Sequence, residues 1–259
     1  MLWRRLKRDW RKIRRETGIG TARALLRYPR VLRQRARYRK MLALGDYGER
    51  FGAIYAQGLW HSAESGSGQG SEVAYTEALR TWLPRIVARY GIETLVDAPC
   101  GDFNWMRLVL PELGVRYHGI DIVAPVIAQN RARYAADGVA FDVADICADA
   151  LPDGDLLMVR DSLFHLSYRD IDRFFRNIAR VNYRYLLTTT NTVGAEFENS
   201  DITTGDFRRI ALFKPPFSVA PTAVLDRVDD YPEGYPIARE MILLRKADVP
   251  ERLGPIPGP

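Results

Sequence analysis

"VDAPCGDFNWM" (residues 96–106) ends an apolar run, turns through Pro-Cys-Gly between two acids, Asp97 and Asp102, and opens a stretch of helical spacing. Strand, turn and helix in that order read as the first half of a βαβ unit. The rest of the chain repeats the pattern. "ETLVDA" (93–98) precedes a helix near 104–113, "RYHGID" (116–121) one near 124–136, and "VAFDV" (139–143) leads to "DLLMVR" (155–160). A helix near 168–180 then precedes "YLLTTTN" (185–191). Such alternation implies right-handed crossovers and a mostly parallel sheet covered on both faces. "AVLDRV" (223–228) and "REMILLRK" (239–246) break it, because "DDYPEGYPIA" between them is too short for a crossover helix. They are expected to form an antiparallel edge hairpin. The fold class is α/β: a Rossmann-like, doubly wound sheet of about seven strands.

In such sheets ligands sit at the carboxyl ends of the strands, near the point where strand order reverses. A dinucleotide site places G-x-G-x-x-G there, so that a diphosphate rests on the helix N-terminus. Here those positions read Pro99, Gly101 and Asn104. Asp97 and Asp102 beside a diphosphate would repel it by about 1 kcal/mol in water, and by more once desolvated. The turn therefore favours a cationic ligand. S-adenosylmethionine fits, with a sulfonium, an ammonium, a ribose diol and no phosphate.

These residues resemble the motifs of class I S-adenosylmethionine-dependent methyltransferases. "LVDAPCGDF" is similar to the first motif, D-x-G/A-C-G-x-G, with Pro99 and Phe103 as departures. Asp121, 24 residues after Asp97, matches the acid that accepts both ribose hydroxyls; Asp145 in "FDVADI" matches the acid that receives the adenine amino group, with Ile146 N–H beside it. Together with "ESGSGQGS", "RDSLFHLS", "YLLTTT" and "NSDITTGDFRRIALFKPPF", the motifs resemble a subgroup of bacterial and algal methyltransferases over roughly residues 60–246. The resemblance implies S-adenosylmethionine as cofactor, held by Asp97, Ala98, Gly101, Asp102 and Trp105, by Asp121 and Ile122, by Asp145 and Ile146, and by Arg160. It also turns "HSAESGSGQGS" (61–71), otherwise a flexible linker, into a lid that brings Ser65 and Gly66 over the cofactor.

Transfer from a sulfonium needs positioning first and a base only where the acceptor must lose a proton. Asp161 and His165, after the fourth strand, are the catalytic candidates; as alternatives Asp161 is a helix-capping acid and His165 a structural histidine. The polar, Gly- and Pro-broken stretch 199–217 stands where a simple helix is expected. Asn191, Asn199, Asp201 and Arg208 are the candidate acceptor contacts, with mutual bracing of the loop as the alternative. Asp161 and Asn191 lack a third acid for magnesium, so no metal is expected.

The acceptor is expected to be a hydroxyl on a small molecule or glycan. The net charge of +6 hides an asymmetry: residues 1–40 carry 16 Lys and Arg against Asp9 and Glu16, giving +14 and leaving −8 for the rest. Trp3, Leu6, Trp10 and Ile13 form an apolar stripe in this arm, which packs on the domain, lies on an anionic membrane, or serves as an Arg-rich presequence. The arm also raises RNA methylation as a rival function, which the acidic remainder opposes; a non-catalytic, membrane-docked interaction module is another. No stretch is apolar for the 18 or more residues that span a bilayer. Two cysteines make no disulfide framework, so a cytoplasmic location, or the inner face of the membrane, is expected. The segments are a basic helical arm (1–59), the methyltransferase domain (60–250) and a Pro/Gly-rich tail (251–259).

Overall fold

Residues 36–256 are described in the computed structural model, and they fall into two units, one ending at Leu44 and the other beginning at Gly45. In the first, residues 36–42 are helical. The Trp3–Ile13 stripe and the end of the tail lie outside the described residues.

The second unit begins with α1 (Tyr47–Gln57), started by Asp46, whose side chain accepts from Glu49 N at 3.1 Å. After a loop come α2 (Glu77–Tyr90), β1 (Thr94–Asp97), α3 (Met106–Leu113), β2 (Arg116–Asp121) and α4 (Ala124–Tyr134). Then follow β3 (Val139–Val143), β4 (Leu156–Val159), α5 (Tyr168–Ile178), β5 (Tyr185–Asn191), β6 (Val224–Asp229) and β7 (Arg239–Arg245). The sheet order is β3-β2-β1-β4-β5-β7-β6. β1 to β5 are parallel, while β7 runs antiparallel to both β5 and β6. The chain is thus a Rossmann-like α/β fold with seven strands and an antiparallel edge.

Both faces of the sheet are apolar, so the strands send alternate residues to opposite cores. Val96, Leu157, Val159, Leu186 and Ile242 pack with Ile171, Phe174 and Phe175 of α5. Their neighbours Leu95, Leu156, Met158, Leu187 and Met241 pack with Leu79 and Leu83 of α2 and with Val109 of α3. Each fully buried Leu, Ile or Phe contributes about 1.5–3 kcal/mol. The order reverses at β1, which pairs with β2 on one side and β4 on the other. That leaves the tips of β1, β2 and β4 side by side.

α1 lies in the second unit, whereas the sequence reading ends the arm at residue 59. Of its residues only Ile54 is fully buried, so the helix lacks the wide apolar stripe that marks a core helix. Its Asp46 start and Gly58 stop were the readable signals.

Candidate cofactor and active site

A pocket of about 850 Å³, its open mouth included, lies at these strand tips, within the size range of small-molecule sites. Asp97 ends β1 and is 3% exposed; Asp121 ends β2 and is 4% exposed. Asp97 accepts from Tyr117 Oη at 2.8 Å. Asp121 accepts from Gly101 N at 3.1 Å and Val123 N at 2.9 Å. Burial raises both carboxyls, Asp97 to about 7 against the opposing pull of Tyr117 and Arg160, and Asp121 to about 6 against the backbone N–H groups of Val123, Gly101 and Ile122. A buried acid held this way gains from a cation that restores what water would supply.

Gly101, Trp105, Ile122, Asp145, Ile146, Arg160, Asp161 and His165 also line the pocket. Asp145 accepts from Cys147 N at 2.8 Å and from the hydroxyl of Tyr47. Tyr47, Phe51 and Tyr55 of α1 close the wall opposite the strand tips together with Trp60 and Ser67. Ser67 belongs to the stretch expected to be a lid, whereas Tyr47, Phe51, Tyr55 and Trp60 carry no sequence signal for the site.

Asp102, Ser65 and Gly66 stand behind the wall and fasten the loop. Asp102 accepts from Ser65 Oγ at 2.9 Å, Gly66 N at 2.8 Å and Ser67 Oγ at 3.1 Å, while its own N–H donates to Ser67 Oγ at 2.9 Å. Gly101 makes the approach possible: a Cβ there would lie 2.3 Å from Ser67 Oγ, and its φ of +56° already disfavours other residues. At the far end of the loop, Gly70 O accepts from Arg160 Nη2 at 2.7 Å. A Cβ on Gly70 would meet Asp161 Oδ2 at 2.6 Å. Ala98 is fully buried beside β1 and does not line the pocket.

Beside the pocket sit four buried or half-buried charges that sum to zero. Asp230, fully buried, accepts from Arg160 Nε at 2.9 Å and Nη2 at 3.0 Å and lies 3.5 Å from Arg239 Nε. Asp161 faces Arg239 at 2.8 Å and Arg160 at 3.5 Å. Arg160 also stacks on Trp105, and Arg239 on Tyr75. Asp161 is therefore committed to two guanidiniums, and taking a proton would weaken both ion pairs.

His165 is placed differently. Its Nδ1 lies 2.8 Å from the carbonyl oxygen of Asp206. A carbonyl only accepts, so Nδ1 carries the hydrogen and Nε2 keeps its lone pair. Burial lowers its pKa, outweighing the Asp206 carbonyl and the Asp161 charge, so the ring is neutral at pH 7.

The strand-five excursion is held by its own polar residues. Asn199 Nδ2 donates to the Ala211 and Pro215 carbonyls at 3.0 and 2.8 Å, and its Oδ1 accepts from Ala211 N at 2.9 Å. Asn191 accepts from Ile210 N at 2.8 Å, and Asp201 from Tyr168 N at 2.7 Å and Ile202 N at 2.8 Å. Arg208 donates to Leu166 O at 2.6 Å and stacks on Tyr168. None of the four lines the pocket; they brace the loop that carries Asp206 and Phe207.

Residues 95–182 match the family model described as a methyltransferase domain. The match runs from β1 past the end of α5, so it takes in the strand tips that line the pocket. Human N-acetylserotonin methyltransferase in complex with SAM is similar in fold, with 15% identity and a TM-score of 0.50 over 82% of this chain and 66%, just under two thirds, of that one. So is the Burkholderia thailandensis 1,6-didemethyltoxoflavin-N1-methyltransferase, solved with bound 1,6-didemethyltoxoflavin and S-adenosylhomocysteine: 15% identity and a TM-score of 0.51 over 68% of this chain and 81% of that one. No curated protein matches the sequence. Among the described residues, no helix is long and apolar enough to cross a membrane.

Proposed function

We propose that this enzyme methylates a hydroxyl on a small molecule or glycan, with His165 as the base. The observation that carries the reading is the Nδ1–Asp206 hydrogen bond, which leaves Nε2 free to take a proton on a pocket wall. When bound, S-adenosylmethionine supplies a methyl group on a positively charged sulfur. Asp121 holds the ribose hydroxyls, Asp145 with Ile146 N–H holds the adenine edge, and Asp97 faces the positive charge of the methionine part. Arg160 is the pocket's buried cation and suits the carboxylate of the same part. Asp161 fixes the two arginines rather than moving a proton.

His165→Ala is expected to lower kcat by about 10²–10⁴-fold, the usual contribution of a positioned base, with cofactor affinity unchanged by calorimetry. The wild-type enzyme should lose kcat/KM only on the acid side, below the ordinary histidine value of about 6.5, since burial keeps the imidazole neutral. An unaltered kcat in the variant removes His165 from this role.

Cofactor affinity should itself depend on pH. Asp97 and Asp121 ionise near 7 and 6 in the empty pocket, and the cation needs them charged. Affinity should therefore rise between pH 5.5 and 8, by about tenfold per linked proton and pH unit below each value. The stability of the unliganded protein has the opposite sign: a raised carboxyl favours the fold at low pH, and that contribution is lost as pH rises through 6 to 7. Titration calorimetry at four pH values checks this; a flat affinity would detach both acids from the cofactor.

The RNA and membrane readings rest on the arm, of which residues 1–35 lie outside the described residues. Retention of activity in solution after deletion of residues 1–40 would assign the arm to location or partners.

A further inference from the structure

We infer that the acceptor carries its hydroxyl on a planar aromatic ring, seated against Phe207 and His165 with Trp60 across the imidazole, an inference that rests on the hydroxyl reading above. Among the described residues only four large apolar side chains are exposed, and Phe207, at 44%, is the one that touches the proposed base. Its ring lies 5.8 Å from His165 and 5.3 Å, edge to face, from Phe164. Trp60 lies 5.6 Å from His165 at an interplanar angle of 36°.

This shelf is built in advance of any ligand. Gly205 N donates to His165 O at 2.8 Å, Arg208 N to Phe164 O at 3.2 Å, and Ser167 N to Thr204 Oγ1 at 2.8 Å. These bonds fix the segment on either side of Phe207, and an exposed ring on a fixed segment is a surface for stacking.

The supply of polar partners decides between a ring and a polyol. A sugar presents several hydroxyls, each of which needs a partner once water is displaced. Asn191, Asn199 and Asp201, polar side chains of the strand-five end and its excursion, already hold backbone groups. The wall around His165 is made mainly of rings, with Trp60 Nε1–H as a buried donor that has no partner among the described residues and Ser162 also lining the pocket. A ring that carries one hydroxyl suits this surface.

Acidity points the same way. A phenol loses its proton near pH 10, as tyrosine does, whereas an alcohol holds it about as tightly as water, near 15.7. A histidine whose pKa is lowered by burial is suited to the first. In the step, the phenolic O–H bond breaks and its proton goes to His165 Nε2. The oxygen forms the new O–C bond as the methyl–sulfur bond breaks, and that electron pair stays on sulfur.

The test offers the full chain and labelled S-adenosylmethionine to three panels: phenols (catechol, 4-hydroxybenzoate, 2-naphthol), alcohols (glycerol, inositol, rhamnose) and anilines. Binding of 2-naphthol to the S-adenosylhomocysteine-loaded protein is measured alongside. Phenols are expected to accept the methyl group, and Phe207→Ala to raise KM for the best of them about tenfold, with kcat and cofactor affinity within about twofold, as loss of a stacking partner predicts. Methylation of alcohols but not phenols overturns this inference and leaves the hydroxyl reading standing. Methylation of anilines alone overturns both. Failure of 2-naphthol to bind, or an unchanged KM in Phe207→Ala, overturns the aromatic seat.

Discussion

Asp121→Ala is expected to weaken S-adenosylmethionine binding at least a hundredfold, to a level that calorimetry registers as near loss. Two charge-assisted hydrogen bonds to the ribose diol contribute about 1.5–3 kcal/mol each, and every 1.4 kcal/mol is a factor of ten. The same carboxylate accepts from Gly101 N and Val123 N, so the variant also loosens the turn under the nucleoside. Asp121→Asn separates the two roles. It keeps an acceptor oxygen for one backbone donor but not the charge, so it should retain the circular dichroism of the wild type and still bind poorly. Wild-type affinity in Asp121→Ala would end the assignment of this pocket to a cationic nucleoside.

Asp230→Ala is expected to cost stability rather than affinity first. Asp230 is fully buried between Arg160 and Arg239, and its removal leaves two guanidiniums facing one carboxylate, Asp161. Breaking a buried pair by deleting one partner typically costs about 3–5 kcal/mol. For a domain of this size that is a fall in Tm of roughly 6–20 °C by scanning calorimetry. The double variant Asp230→Ala/Arg239→Met removes the surplus charge together with its partner and should recover part of the loss. If the single variant melts with the wild type, the four charges are not a coupled unit.

The sheet was legible because its strands are apolar runs ended by charged or turn residues. The bounds of β2, β3 and β5 coincide with 116–121, 139–143 and 185–191. The two buried acids of the pocket are legible too, since Asp97 and Asp121 stand at strand ends. What escaped was whatever depends on distant contacts. Asp102 sits in the first motif, yet its oxygens are taken by Ser65, Gly66 and Ser67, some 35 residues away in sequence. Asn199 has the chemistry of a ligand contact, and only its three backbone partners reveal a brace. α1 falls in the second unit; three of its aromatic side chains line a cavity, and a ring that lines a pocket leaves no periodic apolar stripe in the sequence.

One carboxylate gripping three successive residues has a kinetic corollary. The loop is tied at Asp102 through bonds to a single side chain, so it is expected to open in one event instead of by gradual fraying. On the function proposed above, exchange of methyl donor and product is then expected to wait on that opening.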